Sequence, residues 1–157
     1  STPGMGAAFR MDLPLCDPRG IEANVRDADG ESRSLKVLLV EDHALLRPML
    51  AEAIASGGHE VSSFEGVQEV LDCRLIREDS VDVCVIDVNL GDGNGVDLSA
   101  EIESAVGHSV PTVFSTGNPD SVVVRDLMPW QALMRKPFEI ESLMRTIRKL
   151  ATQAETK

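Results

Sequence analysis

The sequence lacks the features that would let a chain cross, staple or grip. No apolar run approaches the ~18–20 residues needed to span a bilayer. The chain also does not open with a charged stretch followed by an apolar one, so neither a transmembrane segment nor a secretory leader is expected. Cysteine is scarce: Cys16, Cys73 and Cys84 are odd in number and show no C-x-x-C spacing. That argues against a disulfide framework and a zinc site and fits a reducing cytoplasm. Aromatic residues make up only 3%, no block of Lys and Arg alternates with them, and the net charge is -11. Such a field repels phosphate backbones, so nucleic acid is not expected as a direct ligand. What is present is the mix of a globular protein, 43% hydrophobic and 26% charged over 157 residues. This length suits one domain of ordinary size with a modest extension.

Residues 16 to 34 are polar, carry Pro18, Gly20 and Gly30, and have no apolar period of 2 or 3.6, which is the pattern of a linker. After it, Lys36 to Val40 is a short apolar run suited to a strand buried on both faces. A helical pattern carrying Leu45, Leu46, Met49, Leu50, Ala53 and Ile54 follows and stops at Gly57-Gly58. The alternation repeats: strand Glu60 to Phe64, helix Val67 to Glu78, strand Val81 to Val88, helix Val96 to Val106 and strand Thr112 to Ser115. A short or irregular fourth helix near Ser121 to Leu127, a strand Ala132 to Arg135 and a last helix Ile140 to Ala151 complete it. Near-continuous apolar strands alternating with helices imply an α/β fold with a parallel sheet covered on both faces and joined by right-handed crossovers. Five such units match a flavodoxin-like, doubly wound five-stranded sheet in the order 2-1-3-4-5. In such sheets ligands gather beyond the carboxyl ends of the strands.

Those ends carry chemistry. The first strand runs into Glu41-Asp42, the third ends in Asp87, the fourth in Ser115-Thr116, and the fifth runs into Lys136-Pro137-Phe138. Three carboxylates in one crevice repel each other, each pair by roughly 4 kcal/mol at ~4 Å and an effective dielectric near 20. A hard divalent cation relieves this, and Mg2+ suits an oxygen-only ligand set that also meets phosphate oxygens. A carboxylate nucleophile, a metal, an ammonium and a hydroxyl donor are what phosphoryl transfer to an acid requires. Taken singly each has a plainer use: Glu41-Asp42 and Thr116 as helix caps, Lys136 as a solvated lysine, Asp87 as a turn residue.

The segments Val-Glu41-Asp42-His, Ile-Asp87-Val-Asn-Leu-Gly-Asp-Gly-Asn-Gly95, Ser-Thr116-Gly and Lys136-Pro-Phe, in this order and spacing, resemble the receiver domains of two-component response regulators over residues 35 to 152. The resemblance implies Asp87 as phosphoacceptor and Glu41, Asp42, Asp87 and the Asn89 carbonyl as the Mg2+ site. It also implies Thr116 as the switch hydroxyl, Lys136 as the phosphate-pairing lysine and a cis Lys136-Pro137 bond. The implied partners are a phosphohistidine domain of a histidine kinase and a histidine phosphotransfer protein. The implied activity is the receiver's own phosphotransfer and dephosphorylation. Gly91, Gly93 and Gly95 suit a loop that approaches a phosphate closely.

Two features depart from that family. Leu133 stands where Tyr or Phe is usual, three residues before the lysine, and the stretch from Thr116 to Lys136 is slightly short, with Pro129-Trp130 where a helix end and a glycine turn are expected. Both bear on the output face rather than on the chemistry, and a module that passes its phosphoryl group onward needs little of that switch. His43, beside the acidic pair, has no partner at ligand spacing and reads as a structural or access-tuning residue. His59 and His108 read as surface residues, and Cys73 and Cys84 as small core or near-surface thiols.

Residues 1 to 15 join a glycine-rich turn at Gly4 and Gly6 to an alternating strand closing in Leu13-Pro14, which resembles the end of a histidine-kinase ATP-binding domain. The expected organisation is that remnant, the linker 16–34, the receiver 35–152 and a tail 153–157, a cytoplasmic piece of a hybrid histidine kinase that can itself be membrane-anchored. The alternative within the family is a stand-alone response regulator acting by protein contact. A phosphohydrolase of the haloacid dehalogenase type uses similar chemistry but expects an Asp where Asn89 stands. A degenerate interaction module is the remaining rival.

Overall fold

The computed structural model describes residues 33–78, 80–118 and 126–155. All of these but Arg33 belong to a unit running from Ser34 to Lys157. The expected kinase-domain remnant, almost all of the linker and most of the expected fourth helix lie outside the described residues. Five strands form one sheet: β1 (Lys36–Val40), β2 (Glu60–Phe64), β3 (Val83–Asp87), β6 (Thr112–Thr116) and β7 (Gln131–Arg135). They lie in the order β2-β1-β3-β6-β7, every pairing parallel. This is the doubly wound order expected from the alternation of elements. Two further short strands, β4 (Asn89–Leu90) and β5 (Gly93–Asn94), form an antiparallel hairpin just beyond β3.

The apolar strands are explained by what covers them. Side chains alternate across a strand, so Val37, Leu39, Val83, Val85 and Val113 face one way and Leu38, Val40, Cys84, Ile86 and Phe114 the other. The first set packs with Leu50 and Ile54 of α1 (Leu46–Ser56) and with Leu143 and Ile147 of α5 (Ile140–Glu155). The second packs with Val70 of α2 (Val67–Leu71), Ile76 of α3 (Arg74–Arg77) and Leu98 and Ile102 of α4 (Gly95–Val106). Cys84 sits wholly inside that second layer, where burial pushes its thiol up to about 12. It is an inert core group. No helix among the described residues is long and apolar enough to cross a membrane.

Two expectations need correction, and one helix exposes apolar residues. The helix expected over Val67 to Glu78 is broken into α2 and α3. Cys73 takes an extended backbone (φ -76°, ψ 140°) and its Sγ accepts from the Leu75 amide at 3.4 Å, so a side-chain cap starts a new helix where the old one would have continued. Leu45, just before α1, and Met49 within it are 73% and 65% exposed, whereas Leu50 and Ile54 are buried. The core contacts a narrow stripe, and residues one position off it are turned about 100° toward solvent.

His59, expected at the surface, is buried at the start of β2. Its Nδ1 accepts from the Leu35 amide at 3.2 Å and its Nε2 has no partner among the described residues. Burial, helped by the nearby Arg148 charge, holds the imidazole below its ordinary range. The unfolded chain therefore binds a proton that the fold refuses, so stability is full above the unfolded value and falls as pH drops toward the folded one. Urea denaturation between pH 7 and 5.5 should show this loss, and His59→Gln should flatten it. Equal slopes in the two proteins would remove the assignment.

Candidate phosphoacceptor site

The parallel register carries the functional side chains to one end of the sheet. The Val40–Ile86 pairing puts Glu41, the residue after β1, beside Asp87, the last residue of β3. Asp87 is paired with Ser115, next to Thr116 at the end of β6. The Lys136 amide donates to the Thr116 carbonyl at 2.8 Å, so the lysine leaves β7 directly beside it. The Lys136–Pro137 bond is cis.

One ammonium links two acids here. Lys136 Nζ lies 2.6 Å from Asp87 Oδ2 and 2.7 Å from Glu41 Oε2. Oxygens of Glu41, Asp42 and Asp87 all fall within 4.8 Å of one another. Glu41 is only 1% exposed and Asp87 7%, while Asp42 lies nearer the solvent. Burial raises the Glu41 carboxyl above its ordinary value; the hydrogen bond and charge of Lys136 oppose the rise and the Asp87 charge adds to it. For Lys136 desolvation favours the neutral amine, but the hydrogen bonds and charges of Asp87 and Glu41 prevail and raise it. Lys136 therefore stays an ammonium at neutral pH.

The other oxygen of Asp87, Oδ1, accepts from the Asn89 amide at 2.9 Å. Glu41 Oε1 accepts more weakly from the His43 amide at 3.3 Å, and His43 Nδ1 accepts from the Leu46 amide at 3.2 Å at the start of α1. His43 thus has the structural use expected of it. The Thr116 hydroxyl is buried and engaged with Asn118, donating to its carbonyl at 3.0 Å and accepting from its amide at 3.1 Å. Leu133 is partly buried and packs against the layer around Phe114. An aliphatic side chain at that position has no aromatic ring to swing between exposed and buried states.

Glycine matters most at one point of the loop. A Cβ on Gly95 would collide with the Asp87 carbonyl oxygen and with Ile86, so α4 can approach the end of β3 only through a residue without a side chain. Two residues that sequence reasoning left unassigned also belong to the site's frame. Arg47 Nη1 donates to the Glu41 carbonyl at 2.9 Å, and Asp92 ties the loop to α2. Both contacts span elements, so no local pattern marks them.

A donor set of three clustered carboxylates, two of them buried and one raised by burial, fits a hard cation: oxygen ligands are correct for Mg2+, and the excess negative charge calls for one. The same arrangement holds the buried Asp87 carboxylate against an ammonium and beside two other acids.

Comparison with known proteins agrees with this fold. The sequence profile described as response regulator receiver domain matches residues 37–148. The chain is similar to the sensory/regulatory protein RpfC of Xanthomonas campestris pv. campestris, 26% identical over 136 residues covering 79% of this chain and 18% of that protein. It is similar to the transcriptional regulatory protein LytR of Staphylococcus aureus, 28% identical over 124 residues covering 77% of this chain and 49% of that protein. It thus spans less than half the length of either relative. Among solved structures it resembles a response regulator receiver domain protein from Clostridium thermocellum, with a TM-score of 0.68 at 20% identity, covering 78% of this chain and 98% of the other. It also resembles the receiver domain of the hybrid histidine kinase CckA, with a TM-score of 0.61 at 20% identity, covering 74% of this chain and 98% of the other. At such identities the structural likeness establishes a shared fold.

Proposed function

The chain belongs to the response regulator receiver domain family, and on that premise we propose that Asp87 accepts a phosphoryl group from a phosphohistidine and yields it to a histidine phosphotransfer protein or to water. The observation that carries this is the position of Asp87, its carboxylate 2.6 Å from Lys136 Nζ and clustered with Glu41 and Asp42. Mg2+ is the cofactor of this reading, held by Glu41, Asp42, Asp87 and the Asn89 carbonyl. When bound it neutralises charge on the phosphoryl oxygens.

In the transfer, an Asp87 oxygen attacks phosphorus as the phosphorus–nitrogen bond breaks. The bonding pair returns to the ring nitrogen, and the donor leaves as neutral imidazole when its other nitrogen carries a proton. Lys136 stands where its ammonium meets negative charge gathering on a phosphoryl oxygen, and Thr116 offers a hydroxyl to another once released from Asn118. Asn89 keeps one carboxylate oxygen fixed while the other reacts.

The parent of this reading is a hybrid histidine kinase in the cytoplasm or anchored to its membrane. The support is the resemblance of residues 4 to 15 to the end of a kinase ATP-binding domain. With Leu133 at the switch position, the domain serves better as a relay than as an aromatic-switch output module. Amide NMR with Mg2+ and beryllofluoride tests the phosphoacceptor assignment. The signals of Asp87, Asn89, Thr116 and Lys136 should move with saturable binding, and a spectrum unchanged at millimolar Mg2+ would mean a degenerate site.

A further inference from the structure

The hairpin that follows Asp87 is too small to hold itself. Its ladder is two residues long on each side, Asn89 opposite Asn94 and Leu90 opposite Gly93, and a short isolated hairpin is marginal in water. Yet it carries the Asn89 amide that fixes Asp87 Oδ1, and Gly91 at its tip lies against Asp42: a Cβ there would sit 3.6 Å from Asp42 Oδ2.

Its base is secured by the Gly95 amide donating to the Val88 carbonyl at 2.9 Å and by Asn94 Oδ1 accepting from the Val96 amide at 2.8 Å at the start of α4. The tip is secured at a distance. Asp92 Oδ1 accepts from the Val67 amide at 2.9 Å and Oδ2 from the Gln68 amide at 3.1 Å. These are first-turn amides of α2, whose own N-cap, Gly66, has no side chain to offer. The two amides hold the Asp92 carboxyl below its ordinary range.

Two glycines give the contact room. A Cβ on Gly66 would lie 2.5 Å from Asp92 Oδ1, and one on Gly93 would lie 2.8 Å from Val67 Cγ2. The Gly66 backbone is extended (φ -158°, ψ -177°), which any residue adopts. The space, rather than the backbone angle, is what glycine supplies there.

We infer that Asp92 is a positioning residue for the site: by clamping the hairpin tip to α2 it aims Asn89 at Asp87 and at the cation held beside it. The inference rests on the reading of Asp87 as a Mg2+-dependent phosphoacceptor and adds how that site is kept in register. Supports of this kind around metal ligands are typically worth about 10- to 100-fold in affinity or rate.

The test compares wild type with Asp92→Ala, Asp92→Asn and Gly66→Ala, the last of which displaces the carboxylate without touching it. Three readouts are taken on the intact chain: Mg2+ affinity by titration, the rate of phosphoryl uptake from acetyl phosphate, and amide exchange at Asn89. Asp92→Ala and Gly66→Ala should each weaken Mg2+ binding and slow uptake by about tenfold and speed exchange at Asn89, with Asp92→Asn recovering part of the loss through its remaining acceptor oxygen. A clamp that merely stabilises α2 would lower the urea midpoint and leave affinity, rate and Asn89 exchange at wild-type values, and that result overturns the inference. Failure of the underlying reading looks different: wild type itself would take up no phosphoryl group, and the inference would fall with it.

Discussion

Asp87→Asn should lose phosphoryl uptake from acetyl phosphate or from a phosphorylated histidine domain, falling on the order of a thousandfold or more. A carboxamide oxygen has nearly the size and place of the carboxylate oxygen but carries no anion to attack phosphorus, and it cannot form an acyl phosphate. The fold should survive. Removing one of three clustered acids relieves repulsion of roughly 4 kcal/mol per close pair at an effective dielectric near 20, so the urea midpoint without divalent ions should hold or rise. Lys136 keeps its bond to Glu41 in this variant. Loss of chemistry without loss of stability separates a nucleophile from a structural acid. Uptake at the wild-type rate would remove Asp87 from the mechanism.

Lys136→Met should show the opposite balance. Met fills much of the lysine stem's volume but leaves Glu41, 1% exposed, and Asp87, 7% exposed, without the cation that lies 2.7 and 2.6 Å from them. Breaking a buried ion pair from one side typically costs about 3–5 kcal/mol, because the remaining charge is stranded. Urea denaturation in a chelator should therefore find a large loss, and millimolar Mg2+ should return part of it by supplying another cation to the same acids. Phosphoryl uptake should also fall, by on the order of a hundredfold, since one fixed charge on the phosphoryl oxygens is gone. A variant as stable as wild type in chelator would mean that Lys136 does not neutralise the buried acids in solution.

Much of this architecture was legible in the sequence for a physical reason. Strands buried on both faces must be apolar throughout, so polar residues at their carboxyl ends stand out. Glu41, Asp42, Asp87, Thr116 and Lys136 were found that way, and the parallel register brings them to one end of the sheet. Other features were hidden because their causes are tertiary. The break at Cys73 depends on a thiol reaching the Leu75 amide. The burial of His59 depends on Leu35 passing beside it, and the exposure of Leu45 and Met49 on how narrow a stripe the sheet accepts. Asp92 stands between two glycines and carries no local signal of its role. Its partners Val67 and Gln68 lie 25 and 24 positions earlier, beyond the reach of any local pattern.

The measurement closest to the central claim is the location of the phosphoryl group. Wild-type protein is phosphorylated in Mg2+, treated with borohydride, which reduces an aspartyl phosphate to homoserine, and mapped by peptide mass spectrometry. The account predicts homoserine at position 87 and nowhere else, absent when Mg2+ is withheld. Homoserine at another acid, or a phosphoryl group found instead on His43, would contradict it.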